Sequence, residues 1–391
     1  MTRLNRRMRV GLTVDRVRLT LNALALFSLA HWPLSEWRVN RISDGVLHYF
    51  GDGAFSDAAW VRASLVDPPT LWIAVGLIGV MILQSLQSRA AVALSVALAV
   101  FPALLLTVIS RAAPDASTRI SLCSGFWVTL GLVELSAFSV ISPVMNRWQT
   151  IALSAAIGLL VTTAVSLGWW DNLSLVREWV AQEDLLTRAV WEHLELSVTC
   201  TATAAVVAIP AGFCLHRRAS GVGLVLHFIH TIPSLALFGL LMVPLSLLAE
   251  AWPALADWGV HGIGVAPAWC ALFLYALLPL FTVTVNGLNA IDPAVLEAAD
   301  GMGFNRWQRL WHIELPLSLP SLRGALSVTL VQMMGLATIA ALIGGGGLGT
   351  LIFNGIGQNA PDLVLLGTLA VLTLTLVTQI LLPPPSIQSP G

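Results

Sequence analysis

The sequence predicts an all-α membrane protein with about ten transmembrane helices. Two observations lead to this fold class. Of the 391 residues, 57% are hydrophobic and only 10% are charged, and the mean hydropathy is +0.82. A soluble domain carries about 25% charged residues, so this chain has too few charges to cover a water-exposed surface. The apolar residues also gather in stretches of about 20, the length a helix needs to cross the hydrocarbon core.

The apolar stretches divide into two groups, with a more polar segment at 171–189 between them. The predicted spans are 17–34, 70–86, 90–110, 122–142, 150–170, 190–215, 222–249, 266–286, 322–343 and 363–382. We therefore expect an N-terminal membrane region over 1–170, an external linker over 171–189 and a C-terminal transmembrane domain over 190–382. The proline-rich end, 383–391, is predicted to be a disordered tail.

Arginine placement orients the spans, because basic residues are enriched in cytoplasmic loops. Arginines cluster between residues 3 and 18, and alternation from a cytoplasmic N-terminus also places Arg217, Arg218 and Arg306 inside. We predict a multi-pass protein of the inner (plasma) membrane with both termini in the cytoplasm. One alternative stays open for the first span, since arginines followed by an apolar run and Ser28-Leu29-Ala30 could form a cleavable signal peptide.

The cytoplasmic loop 287–320 is polar and unusually long for this chain. Asp292-Pro293 predicts a helix start, because aspartate caps free amides and proline suits the first turn. A second helix is predicted after Gly303, with aromatic residues spaced along one face and with Pro316 and Pro320 ending it. Aromatic side chains exposed in the cytoplasm indicate a docking surface for a partner protein.

The same loop resembles the coupling-helix signature of ATP-binding-cassette (ABC) importer permeases: EAA, three residues, G, nine residues, I, one residue, LP. The matching residues are Glu297, Ala298, Ala299, Gly303, Ile313, Leu315 and Pro316. The resemblance implies a type I permease with a five-helix core, in which this segment docks into a cleft on the ATPase subunit. Taken alone, Glu297 could be a solvated helix charge and Gly303 a helix stop, but the complete spacing favours the signature.

Segments across 190–370 resemble permeases for glycine betaine, choline and related quaternary amines, most clearly at 231–235 and 274–279. The N-terminal spans resemble a longer subgroup of these permeases, and their role stays open. This resemblance implies a subunit that translocates osmoprotectants delivered by an external or periplasmic binding protein. Permeases for methionine or sulfonates are the alternatives on substrate. A secondary transporter is less favoured, because the sequence lacks paired inverted repeats and buried charges near the midplane.

The chain contains no lysine and no GxxxxGK[ST] loop, so it is not expected to be an ATPase or any other enzyme. The resemblance implies separate ATPase subunits that use ATP and Mg²⁺, an external binding protein, and a second permease copy or a paralogue. We expect no cofactor on this chain and, at a net charge of −1, no nucleic-acid partner. The four cysteines lack metal-ligand spacing and predict neither a metal site nor a disulfide.

Prolines and glycines within the C-terminal spans are candidates for the transport pathway or its gate. Proline frees a carbonyl inside a helix, which membrane proteins tolerate where neighbours or a water-lined cavity satisfy the backbone; kinked packing is the alternative. The glycine run matches GxGxxG only superficially, because it follows an apolar helix rather than a strand. We expect flexible backbone there, at the outer mouth of a pore or gate. The candidates are Pro233, Ser234, Tyr275, Pro279, Gly344, Gly345, Gly346 and Gly347.

Ionisable residues within membrane spans are functional suspects. Glu192, His193 and Glu195 lie near the start of the sixth span, where an interfacial position would cost little. His227 and His230 share a helix face, but two histidines without a third ligand are weak evidence for metal. We expect the two histidines to form hydrogen bonds within the bundle instead.

Overall fold

The computed structural model describes residues 17–48 with gaps at 18–19, 26, 29–30 and 39–44, residues 103–141 with gaps at 104, 112 and 114–116, and residues 147–382. The predicted span 70–86, most of 90–110 and the predicted tail lie outside the described residues. The chain divides into two compact units, Met1–Ala181 and Gln182–Gly391. The predicted linker 171–189 is shared between these two units.

The first unit contains a small antiparallel sheet as well as helices. Strand β1 (Ser35–Arg38) lies between β2 (Val46–His48) and β3 (Arg119–Leu122). The labelled helices are α1 (Ser124–Ile141), α2 (Arg147–Ser166) and α3 (Ser174–Ala181). The sequence predicted only helices here, because strands of three or four residues are too short to show a period-two pattern.

The unit's buried side chains gather around the sheet. Ile109, Ile120 and Phe126 are almost completely buried in one apolar cluster. An ion pair joins β3 to α3, where Arg119 donates to Glu178 across 3.0 Å. The short helix α3 is therefore held to this unit by a charge pair at its buried face.

Within the described residues, the second unit is built from helices and the turns that join them. Its first half comprises α4 (Glu183–Leu215), α5 (Ala219–Thr231), α6 (Ser234–Ala251), α7 (Pro253–Asp257) and α8 (Val265–Asn289). Its second half comprises α9 (Pro293–Gly301), α10 (Arg306–Arg309), a π-helical turn (Leu310–Glu314), α11 (Leu315–Ala340), a 3₁₀ turn (Ala341–Ile343), α12 (Gly349–Gly357) and α13 (Pro361–Leu381).

Five helical runs in the described residues are long and apolar enough to cross a membrane: Glu183–Leu215, Ser234–Ala251, Val265–Asn289, Arg306–Ile343 and Pro361–Leu381. The predicted five-helix C-terminal core is thereby confirmed. All five lie in the second unit, and the total of about ten spans stays a prediction.

Helix α8 lies at the centre of this unit and packs against α4, α5, α6 and α11. The core around it contains the fully buried side chains of Phe238, Leu272 and Met333. Close approach depends on small residues, as at Gly212 of α4, where an added Cβ would lie 2.7 Å from the Thr284 side chain. Small residues at such contacts are typical of helix packing in membranes.

The predicted single span 222–249 is wrong, because the structure breaks it into α5 and α6 at Ile232 and Pro233. Pro233 has no amide hydrogen to continue the helix, and the residue before a proline is disfavoured in the helical region. Ile232 is accordingly extended, with φ −67° and ψ 128°. The hydroxyl of Tyr275 in α8 donates to the Ile232 carbonyl, which satisfies a polar group at the break.

The prediction that Pro316 and Pro320 end the second loop helix is also wrong. The chain stays helical from Arg306 to Ile343. The π-helical turn precedes the first proline, and the Leu315 amide donates to the Leu310 carbonyl five residues back. Pro316 then follows this turn as the second residue of α11. Single π turns inside α-helices absorb such irregularities.

Replacing Tyr275 with Phe should destabilise the second unit, because the Ile232 carbonyl would lose its partner. The site is half-buried, so the loss should lie towards the lower end of the about 1–3 kcal/mol that an unpaired buried carbonyl costs, and the thermal unfolding midpoint of the purified permease in detergent should fall. Thr375→Val is the matched control: its hydroxyl bonds the Val371 carbonyl, which is already within the α13 ladder. Equal midpoints for Tyr275→Phe and Thr375→Val would contradict the assignment.

Candidate functional site

The segment between α8 and α11 begins with a capped helix, as the sequence predicted. The carboxylate of Asp292 accepts a hydrogen bond from the Ala294 amide across 2.9 Å, and Pro293 occupies the first helical position. This cap starts α9 directly after the end of α8. The polar segment therefore leaves the apolar helix with a defined geometry.

Gly303 ends α9 in a left-handed conformation with φ +79°. The Phe304 amide donates to the Ala299 carbonyl across 3.1 Å, and the Gly303 amide donates to the Asp300 carbonyl across 3.0 Å. This pair of bonds is a Schellman motif, which favours glycine because L side chains strain in that region. Gly303 thus fixes the corner between α9 and α10.

The second helix starts immediately after this corner with a capping box. The Asn305 side chain accepts from the Gln308 amide across 2.8 Å, and the Gln308 side chain accepts from the Asn305 amide across 2.9 Å. Both ends of the corner are consequently closed by local hydrogen bonds. The predicted short helix before Gly303 and the predicted helix start after it are confirmed, whereas the second helix continues into α11.

Arg309 ties the two helices together. Its Nε donates to Glu314 across 2.9 Å, and its NH1 donates to Asp300 of α9 across 3.2 Å. Asp300 is well exposed, so its bond is screened by solvent and weak. The bond to Glu314 is better shielded and anchors Arg309 to the π-helical turn.

The signature residues differ in exposure, from exposed through half-buried to fully buried. Glu297, Ala298 and Gly303 are exposed, whereas Ala299 is fully buried. Ile313 and Leu315 are half-buried, at the π-helical turn and the start of α11, and Pro316 beside them is exposed. Five of the seven lie on the segment that joins α8 to α11, and Leu315 and Pro316 begin α11.

Large apolar side chains are exposed in the same segment. Trp307 is 70% exposed and Trp311 is 61% exposed, and Met302 is exposed beside the Gly303 corner. The two tryptophans are four residues apart, which places them on one face of the helix. Exposed aromatic groups beside polar residues are typical of an interaction surface. We call Met302, Trp307 and Trp311 the apolar docking surface.

Three pathway candidates, Pro233, Ser234 and Tyr275, lie at the break between α5 and α6. Tyr275, near the middle of α8, donates to Ile232, and its ring lies edge-on to His230 with centroids 5.2 Å apart. Pro279 cannot donate to the Tyr275 carbonyl four residues back, so α8 has an irregular hydrogen bond at this level. Ser234 starts α6 directly after Pro233.

The glycine candidates follow the C-terminal end of α11 and its 3₁₀ turn. Their backbone is closely packed. Gly344, Gly346 and Gly347 have φ values of +79°, +74° and +80°. Gly345 is buried, and a Cβ added there would lie 2.9 Å from the Ala268 Cβ. The structure therefore differs from the flexible loop that the glycine content suggested.

Two residues of α4, Glu192 and His193, form hydrogen bonds to distant parts of the chain, which their predicted interfacial position did not indicate. Glu192 accepts a hydrogen bond from the Gly347 amide across 2.9 Å. His193 is fully buried, and its Nε2 lies 2.9 Å from the Met334 carbonyl of α11. The sequence signal was an acidic residue and a histidine side by side at the start of an apolar span, but nothing in it identified their partners.

Metal ligands are not clustered in the part of the chain that the structure describes. No group of three or more His, Cys, Asp or Glu side chains there is placed to bind an ion. All four cysteines, Cys123, Cys200, Cys214 and Cys270, are free thiols in the structure.

Two family models match the chain, one for each half. Residues 204–383 match the binding-protein-dependent transport system inner membrane component. Residues 15–176 match the N-terminal domain of the ABC transporter permease YehY. The two matches together cover most of the chain, on either side of the division between the two structural units.

The second half is similar to curated transport proteins. It is 36% identical over 200 residues to the osmoprotectant import permease protein OsmW of Salmonella typhimurium, covering 50% of this chain and 88% of that protein. It is 36% identical to the carnitine transport permease protein OpuCB of Listeria monocytogenes (48% and 81% covered) and 32% identical to the glycine betaine/carnitine/choline transport system permease protein OpuCB of Bacillus subtilis (49% and 82%).

A solved structure of the inward-facing MetNI methionine ABC transporter aligns with a TM-score of 0.46 and 21% identity, covering 51% of this chain and 94% of that chain. The identity to OsmW across most of that protein's length, together with the matched family model, assigns the family. The chain belongs to the binding-protein-dependent transport system inner membrane components, and is therefore a multi-pass permease subunit of an ABC transporter.

Proposed function

We propose that this permease imports osmoprotectants, namely glycine betaine, choline or related quaternary amines, that an external or periplasmic binding protein delivers. The observation that carries the proposal is the identity of 32–36% to relatives named for these solutes, over more than four-fifths of each relative. The resemblance at 231–235 and 274–279, around the helix break, supports the same substrate class.

Transport in this proposal is driven by separate ATPase subunits. ATP and Mg²⁺ bind to those subunits, and ATP favours their closed pair, which shifts the permease from one conformation to another. A second copy of this permease, or a paralogue, completes the pathway. The arginine distribution supports cytoplasmic termini and a cytoplasmic α9–α10 corner, on the side where ATP is available.

The α9–α10 corner has the features of an ATPase docking element. It presents tryptophan side chains, which are enriched among the residues that dominate binding energy at protein interfaces. The hydrogen-bonded corner at Gly303 and the capping box join α9 to α10, and α10 continues through the π-helical turn into α11. A displacement of α9 by an ATPase subunit would therefore be passed to a membrane-spanning helix.

The substrate proposal is tested by ATP-dependent uptake into proteoliposomes that hold the permease, its ATPase and its binding protein. We expect labelled glycine betaine to accumulate, and unlabelled choline and proline betaine to compete more strongly than methionine. Quaternary amines are recognised through cation–π contacts that methionine's primary ammonium group fits less well.

The outcomes test the ATP-driven mechanism and the substrate class separately. If the binding protein stimulates ATP hydrolysis but no glycine betaine is taken up, the result would support the coupling mechanism and contradict the assignment of osmoprotectants as substrates. Competition by methionine alone would favour the alternative substrate class. Uptake that continues without the ATPase would contradict ATP-driven import.

Gly303→Val should abolish uptake while leaving membrane insertion intact. A β-branched residue in the left-handed region is strained by about 1–2 kcal/mol or more, so the corner would open and the docking geometry would change. Gly301→Ala is the control, because Gly301 is also exposed with nothing near an added Cβ, yet has no positive φ. Normal uptake by Gly303→Val would refute the docking role of the corner.

Trp307→Ala should weaken binding of the ATPase subunit by about tenfold or more, as truncation of a central interface tryptophan does. Trp258→Ala is a matched control, since Trp258 is 83% exposed but lies between α7 and α8, on the predicted external side. The measurement is the dissociation constant of the detergent-solubilised permease and ATPase. Equal constants for the two variants would place the docking surface elsewhere.

A further inference from the structure

The loop Gly344–Gly349, here called the glycine loop, is bonded to α4 through the carboxylate of Glu192. Glu192 accepts from the Gly347 amide across 2.9 Å, although the two residues are 155 positions apart. This bond joins a membrane-spanning helix to the turn between α11 and α12.

His193 reinforces the same junction from the next position. Because the Met334 carbonyl can only accept, Nε2 of His193 carries the hydrogen and donates across 2.9 Å. The other ring nitrogen, Nδ1, is buried without a hydrogen-bond partner. It faces the glycine loop, since a Cβ added to Gly347 would lie 3.1 Å from it. Buried polar atoms without partners are rare and call for an explanation.

The loop's glycines are fitted to these two side chains. A Cβ added to Gly346 would overlap the Glu192 carboxylate, and both Gly346 and Gly347 have positive φ. The turn before the loop is also tied to α8, where the Gly264 amide donates to the Ile343 carbonyl across 2.8 Å. The loop is therefore held in one specific position by contacts from α4 and α8.

The position of the glycine loop along the chain links it to the docking corner. A continuous helical run from Arg306 to Ile343 begins in the α9–α10 corner and ends at the loop. At about 1.5 Å per residue, such a run spans more than the hydrocarbon core. Movement imposed on its first turns would reach Met334 and the loop through a stiff element.

We propose that Glu192 is a positioning residue for transport: it holds the glycine loop against α4, where His193 also ties α4 to Met334 of α11, and the bond from Gly347 opens when α11 moves in the nucleotide cycle. The inference rests on the proposed import function. In this proposal the bond to Glu192 stabilises a closed position of the glycine loop. The pathway opens at this end only when movement of α11 breaks that bond.

The direct test is hydrogen–deuterium exchange of peptides that contain Gly347, in the permease assembled with its ATPase subunits. Glu192→Ala should speed exchange at this loop by about tenfold or more in the nucleotide-free state, because the amide loses its acceptor. Glu192→Gln keeps a carbonyl acceptor and should stay close to the wild type. Glu195→Ala, an exposed acidic position on the same helix, should leave exchange unchanged.

Two comparisons then decide the role in transport. In the wild type, trapping with ATP and vanadate should raise exchange at the loop towards the Glu192→Ala level. In proteoliposomes, Glu192→Ala should keep ATP hydrolysis but import about tenfold less solute per ATP, and Glu192→Gln should restore the ratio. Unchanged exchange in Glu192→Ala, or no response to trapping, would overturn the proposal.

A purely structural role would give a different pattern. ATP hydrolysis and uptake would then fall together in Glu192→Ala, along with the thermal unfolding midpoint, and that result would also overturn the proposal. Failure of the import function is separately visible. A wild-type assembly that imports no quaternary amine would discard the substrate, while the exchange measurements, which need no solute, would still decide whether the loop is held and released.

Discussion

Backbone amides and carbonyls inside a bilayer need partners within the protein, because lipid offers none. In the second unit this constraint becomes visible wherever a helix departs from its regular ladder. The extended Ile232 carbonyl is paired with the Tyr275 hydroxyl, and the Gly347 amide beyond α11 is paired with Glu192. Each irregularity is therefore also a contact between helices. At these two places, a departure from the helix is paired with a side chain of another helix.

The same constraint explains why α11 has no break at its prolines. A π-helical turn shifts the hydrogen-bond register just before Pro316, so that the chain enters the membrane as one helix. The polar corner at one end and the glycine loop at the other end are consequently mechanically connected. An ABC permease needs such a connection, because nucleotide binds to a separate subunit while solute passes through the membrane.

Helix caps and corners could be predicted from the sequence, whereas contacts between distant segments could not. Asp292-Pro293 and Gly303 predict a helix start and a helix end because a cap depends on neighbours within a few residues. The break at Ile232 was missed because hydrophobicity averages across it, although Pro233 was a visible signal. The short sheet of the first unit and the contact between Glu192 and Gly347 depend on residues far apart in sequence, which periodicity does not report.

Glycine meets different physical demands at the two ends of the helical run Arg306–Ile343. Gly303 has nothing near an added Cβ, so within this chain its need is only the left-handed backbone. Gly346 has both a positive φ and a carboxylate where a side chain would be. An exposed corner with free space can accept a partner's surface, whereas a buried loop filled by Glu192 and His193 has to move before anything can replace them. The proposed docking role therefore fits the first end, and the proposed gating role fits the second.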